Sequence, residues 1–299
     1  MIYSINKRTH GLVKLAEVVL STERPLWSIS WADPRYGPLF AVGGFSQEFI
    51  IYKIDNNKNL QKLYQKKFGS SINSISFAPF SEILQIAVAC SDGLVHFITQ
   101  EASKYCIESI QAHDNIVTSV SWSPILKTDN KEERLFIASG SCDGSIKIWE
   151  MLYKNKTKVN NISTPINLPT RKFDNDGTEN SDNFKLLHKI SKAHIPYVRC
   201  LSFSRAQNEQ TLLLASGGED GKVFISELKY STEKQSDVQI NKIELKDQIS
   251  YGPIWQVSWN FNGRLLSAGC AGQKGEHIVQ IFHETEQSQW SLYNTLSNK

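Results

Sequence analysis

Five six-residue segments along the chain alternate apolar and polar positions and close on a large aromatic residue: "LWSISW", "INSISF", "VTSVSW", "VRCLSF" and "IWQVSW". Alternation with a period of two predicts half-buried β-strands, and no 3.6-residue period competes with it anywhere. The aromatic ends, Trp31, Phe77, Trp122, Phe203 and Trp259, follow one another at intervals of 46, 45, 81 and 56 residues. The first two intervals are one period, and the third becomes ordinary once a 36-residue excess is assigned to an insertion. Behind each segment the same order recurs. An apolar run passes into small residues and a turn: "LFAVGGFSQ", "LQIAVACSDG", "LFIASGSCDG", "LLLASGGEDG" and "LLSAGCAGQKG". A third alternating segment follows ("FIIYKID", "LVHFITQ", "SIKIWEM", "KVFISEL", "HIVQIFHE"), and a weaker fourth closes the unit ("LQKLYQKKF", "YCIESIQ", "FKLLHKIS", "INKIEL", "WSLYNTL"). Four short strands per unit, joined where possible by Asp-Gly hairpins, is the pattern of a β-propeller blade.

The expected fold is therefore all-β, a single propeller domain over residues 1–299 with five complete four-stranded blades. The chain also opens inside another blade, because "MIYSIN" matches a third strand and "GLVKLAEVVL" a fourth. The inner two strands of that first blade are missing. An unclosed ring leaves strand edges and flat apolar faces bare, so a partner or residues upstream of Met1 must complete it. Residues 152–183 hold seven Asn, two Pro, and five basic against four acidic residues without periodicity, which predicts a flexible insertion loop. The polar run from Lys229 to Gln239 is a shorter one.

Composition narrows the function classes. The chain is 40% hydrophobic, enough to bury a sizeable core, and its net charge of +3 is spread without a basic patch, so nucleic-acid binding has no electrostatic footprint. The start lacks the order of a leader peptide, and no run approaches about 18 apolar residues, so a soluble, unsecreted chain is expected. The five cysteines are never closer than 16 residues, which excludes a CxxC clip and points to reduced thiols. His277 and His283 are six apart on one strand, ~20 Å, and His10, His96 and His188 fall in different strands or blades without a carboxylate cluster. No metal site or cofactor is expected. No GxSxG, GxxxxGK or HExxH motif occurs, and Gly217 to Lys222 occupies a turn of the repeat, so the chain is not expected to be an enzyme.

The segment Leu135 to Met151, "LFIASGSCDGSIKIWEM", resembles the WD-repeat family, with Trp149-Glu150 where Trp-Asp is usual. The resemblance implies a hydrogen-bonded structural set made of His113, Ser139, Asp143 and Trp149 in one blade. The next blade keeps His194, Ser216 and Asp220 and has Ser226 in place of the Trp, and the second complete blade keeps Asp92 alone. Recurrence at one point of several blades marks these residues as architecture rather than catalysis.

The stretches "WADPRYGPLFAVGG", "SINSISFAPF", "QAHDNIVTSVSWSP" and "IWQVSWNFNGRLLSAG", with the charged insertion "LKTDNKEERLF", are similar to successive blades of the Sec-thirteen type of WD-repeat subunit. Such subunits serve the outer cage of the COPII vesicle coat and the Y-complex of the nuclear pore. A Seh-one-type nucleoporin fits the insertion less well. The resemblance implies a scaffold, cytoplasmic and peripheral at ER exit sites or at the nuclear envelope. It also implies an open ring closed by a blade from an α-solenoid partner, either the large COPII cage subunit or its nucleoporin counterpart. The seam expected to meet that partner is Ile2, Tyr3, Leu12 and Leu15 on one side and Trp255, Val257, Trp259, Ile278 and Phe282 on the other, some of them ordinary core. The chain departs from the pattern at the half blade, the 152–183 insertion, the turns "GFSQE" and "AGQKGE", and Phe77 and Phe203. A free-standing adaptor presenting substrates to a complex such as a ubiquitin ligase is the other function class in view.

Overall fold

The computed structural model describes residues 2–5, 11–16, 24–101, 104–127, 133–152, 183–204, 211–230, 238–249, 251–272, 276–285 and 289–297. They form 23 strands and one 3-10 turn, Pro34–Tyr36. Strands β1 (Ile2–Ile5) and β2 (Leu12–Ala16) make an antiparallel pair by themselves, with Ile5 opposite Leu12.

Five antiparallel meanders follow. Blade 1 is β3 (Leu26–Trp31), β4 (Leu39–Gly44), β5 (Glu48–Ile54) and β6 (Leu60–Lys67). Blade 2 is β7 (Ile72–Phe77), β8 (Gln85–Cys90), β9 (Leu94–Glu101) and β10 (Lys104–Gln111). Blade 3 comprises β11 (Val117–Trp122), β13 (Glu133–Ser141), β14 (Ile146–Met151) and β15 (Phe184–Ile190), with the two-residue β12 (Leu126–Lys127) paired to the start of β13. Blade 4 is β16 (Val198–Phe203), β17 (Thr211–Gly218), β18 (Val223–Tyr230) and β19 (Val238–Glu244). Blade 5 is β20 (Ile254–Trp259), β21 (Leu265–Ala271), β22 (His277–Glu284) and β23 (Trp290–Ser297). The fold is thus all-β, a propeller of five four-stranded blades beside a lone strand pair.

Most of the predicted 152–183 loop lies outside the described residues, as do 231–237. At the base of the first excursion the Leu152 N–H donates to the Asn183 carbonyl at 2.8 Å, so the ladder resumes across it. The turns of blades 2, 3 and 4 place Gly93, Gly144 and Gly221 at positive φ directly after Asp92, Asp143 and Asp220. Gly144 is also a point of close approach, since a Cβ there would stand 2.5 Å from the His194 carbonyl oxygen.

Burial follows the alternation. Successive inner strands β3, β7, β11, β16 and β20 pack one against the next. An apolar core fills each of the four spaces between neighbouring blades: around Ile72 and Phe49, around Trp122 and Phe97, around Phe203 and Phe136, and around Phe282 and Leu213. A repeated device joins the inner strands. The Ser28 hydroxyl accepts from Ile75 N at 2.9 Å, Ser74 from Val120 N at 3.2 Å, and Ser119 from Leu201 N at 3.0 Å. Inner strands are sheet edges, and unpaired N–H groups there are costly when shielded from water. The serines of "SISW", "SISF" and "SVSW" meet that demand from the neighbouring blade.

Candidate functional site

Two kinds of feature are candidates, the polar sets at the hairpin turns and the faces at the two ends of the blade series. In blade 3, His113 Nδ1 lies 3.1 Å from Asp143 Oδ2, and its Nε2 lies 2.9 Å from Ser139 Oγ. Trp149 Nε1–H donates to that same oxygen at 3.1 Å, and the N–H and hydroxyl of Ser145 both donate to Asp143 Oδ1 at 2.7 Å. A neutral imidazole protonated on Nδ1 satisfies the whole set: it donates to Asp143, and the Ser139 hydroxyl accepts from the indole while donating to Nε2. Burial opposes ionisation of Asp143, but hydrogen bonds from His113 and Ser145 outweigh it and hold the carboxyl well below the usual carboxylate range. The acid next to Trp149, Glu150, is buried and paired with Arg134.

Blade 4 repeats the core of this arrangement. His194 Nδ1 lies 2.9 Å from Asp220 Oδ1 and Nε2 lies 2.9 Å from Ser216 Oγ. Burial lowers the pKa of His194, with Asp220 opposing. These seven residues therefore come together in two clamps, each tying a blade's turn to the loop that leads into its inner strand. Every reactive-looking group in them is engaged by another, and such closure suits rigidity.

The ends of the series are different. Ile29 of β3 is 58% exposed, whereas its counterparts Ile75, Val120, Leu201 and Val257 are 1–6% exposed against the preceding blade. Leu26 and Trp31 are bare in the same way. Further out on that face Phe40, Val42, Ile50, Tyr52 and Ile54 are buried. On this face, therefore, only the innermost strand is bare. Among the described residues no serine serves Ile29 or Trp31. At the other end, the face of blade 5 turned away from blade 4 exposes Leu265, Val279, Tyr293 and Leu296, with His283 packed edge-on against Tyr293 at 5.3 Å.

The residues of the expected seam fall in different environments. Val257, Ile278 and Phe282 are buried in the core shared with blade 4. Trp259 is half-buried there, donating to the Ser202 carbonyl at 2.8 Å. Trp255 is exposed, yet the Arg199 guanidinium of blade 4 covers its ring at 3.9 Å. Ile2, Tyr3, Leu12 and Leu15 lie in the β1–β2 pair, and their side chains fall outside the described residues. The bare residues Ile29, Trp31, Val279, Tyr293 and Leu296 were not in the expected seam. A column-by-column comparison of the five inner strands locates the first two, and a one-residue step along β22 locates Val279. The sequence placed His96 without a carboxylate cluster nearby, and the blade 2 hairpin brings it beside a single carboxylate, Asp92, and the thiol of Cys90.

Among the described residues no helix is long and apolar enough to cross a membrane. The family model for the WD domain, G-beta repeat, matches residues 104–150, which run from β10 through the blade 3 clamp. A SEC13 homolog of Drosophila melanogaster is 23% identical over 283 residues, covering 90% of this chain and 68% of that protein. The protein transport protein sec13 of Emericella nidulans is 24% identical over 306 residues, covering 97% and 85%. That of Mycosarcoma maydis is 21% identical over 333 residues, covering 95% and 83%. With its repeated blades and its His-Ser-Asp clamps, the chain is a β-propeller that is similar to the WD domain, G-beta repeat, over residues 104–150 and to Sec13 proteins over nearly all of its length.

Proposed function

We propose that the chain is a non-catalytic scaffold subunit in protein transport, working in the outer cage of a COPII-type vesicle coat between ER and Golgi. The observation that carries this reading is the bare apolar surface on each terminal blade, the inner strand of blade 1 and the outward face of blade 5. Soluble propellers normally leave no such surfaces. Its partner is an α-solenoid subunit that lends strands to the gap, covering Ile29 and Trp31 on one side and Val279 and Leu296 on the other. Strand addition suits the site because it buries apolar area and satisfies edge N–H groups in one step. The serine pattern of the inner strands adds a chemical requirement: the strand laid beside β3 should carry small hydroxyl residues that accept from the N–H groups of Ile29 and Trp31.

The names of the curated relatives support a transport role. Service in the nuclear-pore Y-complex, with a nucleoporin counterpart of the cage subunit, is the narrower variant of the same mechanism. Location follows the partner, peripheral at ER exit sites in the first case and at the nuclear envelope in the second.

Affinity purification of the tagged full-length chain from native extract, followed by mass spectrometry and sizing, tests the proposal. The expected result is a stoichiometric complex with a large helical-repeat protein, whose identity separates coat from pore. A well-behaved monomer, or a stoichiometric ubiquitin ligase, contradicts it and favours the adaptor class.

A further inference from the structure

Blade 2 departs from the clamp of blades 3 and 4. Nine residues before the aromatic end of its inner strand stands Phe68 instead of histidine, and Val88 takes the place of the serine. Asp92 keeps its turn position, with Oδ1 accepting from Leu94 N at 3.2 Å. A different histidine, His96, stands four residues later on β9 and stacks on Phe68 with ring centroids 4.3 Å apart and planes at 18°. One ring nitrogen of His96, the Cys90 Sγ and an Asp92 carboxylate oxygen all lie within 4.8 Å of one another. Cys90 is wholly buried, His96 is more than nine-tenths buried, and Asp92 is exposed. His96 Nδ1 is engaged by Ser109 Oγ at 2.6 Å, whereas Nε2 is buried with no partner. A buried imidazole nitrogen left without a hydrogen bond is costly and calls for a ligand.

We propose that Cys90, Asp92 and His96 form a binding site for Zn2+ or a chemically similar divalent ion, which fastens the blade 2 turn. The ion does for Asp92 what His113 does for Asp143 and His194 does for Asp220. Thiolate, imidazole and carboxylate are a ligand set that zinc accepts, with water in a fourth position. Ser109 supplies the outer partner that fixes the ring, accepting from Nδ1–H and leaving the Nε2 lone pair for the metal. Zinc bonds of about 2.0–2.3 Å put tetrahedral ligand atoms about 3.5 Å apart, a spacing compatible with three atoms that lie within 4.8 Å of one another with one of them, Asp92, in an exposed turn. As the metal–sulfur bond forms, the thiol proton of Cys90 leaves to solvent.

The full-length chain, stripped with a chelator and titrated with Co2+, tests the site. The expected result is one equivalent bound with a thiolate-to-cobalt charge-transfer absorption that Zn2+ displaces. Cys90→Ser removes that absorption, and Ser109→Ala weakens binding about 10- to 100-fold. Asp92→Asn, in an exposed turn that tolerates change, weakens binding at least about tenfold and carries the test if the buried cysteine variant fails to fold. Circular dichroism confirms the fold of each variant. A folded wild type without the absorption overturns the site, and so does an absorption that persists undiminished in folded Cys90→Ser or Asp92→Asn.

Discussion

Replacing Ser139 with alanine removes one oxygen and strands two buried groups. Ser139 is fully buried, and its hydroxyl serves both His113 Nε2 at 2.9 Å and the Trp149 indole at 3.1 Å. Each buried polar group left unpaired costs about 1–3 kcal/mol, so the two together cost about 2–6 kcal/mol. The backbone carbonyl of residue 139, 3.3 Å from Nε2, offers no full rescue. It can accept from Nε2–H only if the proton leaves Nδ1, which then confronts the Asp143 carboxylate bare. Blade 4 supplies the control. Ser226 stands where blade 3 has Trp149, so Ser216→Ala strands the His194 ring alone, at about 1–3 kcal/mol. Urea unfolding at pH 8, read as midpoint shifts at constant slope, compares the two. Ser139→Ala is expected to lie about 1–3 kcal/mol below Ser216→Ala. A cycle with Trp149→Phe should return a coupling of similar size, because the double variant has no indole N–H to strand. Equal costs for the two serine variants, or strictly additive effects in the cycle, refute the shared-oxygen account.

Further outcomes follow from the same geometry. Burial holds the folded His194 pKa below its unfolded value, so the folded state binds fewer protons and stability falls as pH drops through about 6.5. His194→Gln should flatten the dependence of the urea midpoint on pH between 8 and 5.5, and an unchanged slope counts against this assignment. Asp143 carries the opposite case for a carboxyl: its contribution is present above about pH 4 and is lost as pH falls through its lower folded value, so the gap between wild type and Asp143→Asn should narrow in acid. Gly218→Ala puts a Cβ 2.2 Å from His194 Nδ1 and 2.6 Å from Asp220 Oδ1, and should break the blade 4 clamp at a cost of about 3 kcal/mol or more, seen as rapid proteolysis in that blade. Ile29→Asp should leave the melting temperature of the isolated chain nearly unchanged while abolishing binding of the proposed partner, whereas Ile75→Asp, at the buried equivalent position, should prevent folding.

How much of this was legible in the sequence depended on whether a residue's role repeats. The blades were legible because every inner strand ends on its own aromatic residue and three hairpins carry Asp-Gly, so each unit states its register locally. The two clamps were legible because His113 and His194 stand at one offset from the strand ends. The seam was less so. Alternation puts Trp255 and Val257 on one face, but the register shift between Ile254 and Gln256 separates them, and alternation does not say which face of a blade looks back at its predecessor. Val257, Ile278 and Phe282 therefore read as edge residues although they fill the core against blade 4. Ile29 and Trp31 looked like any other inner-strand residues, because what distinguishes them is that no strand among the described residues covers them. The blade 2 cluster was hidden for another reason. Cys90, Asp92 and His96 are two and four residues apart across a hairpin, and only the bend of the turn brings their ligand atoms together.

Hydrogen exchange on the chain, free and co-purified with the proposed α-solenoid partner, tests the central claim most directly. Strands β3 and β22 to β23 should exchange quickly in the free chain and become protected in the complex, with Ile29 and Trp31 among the largest changes, while β11 and β16 stay as they were. A complex that forms without protecting β3 or β22 would place the partner elsewhere on the propeller and contradict the account.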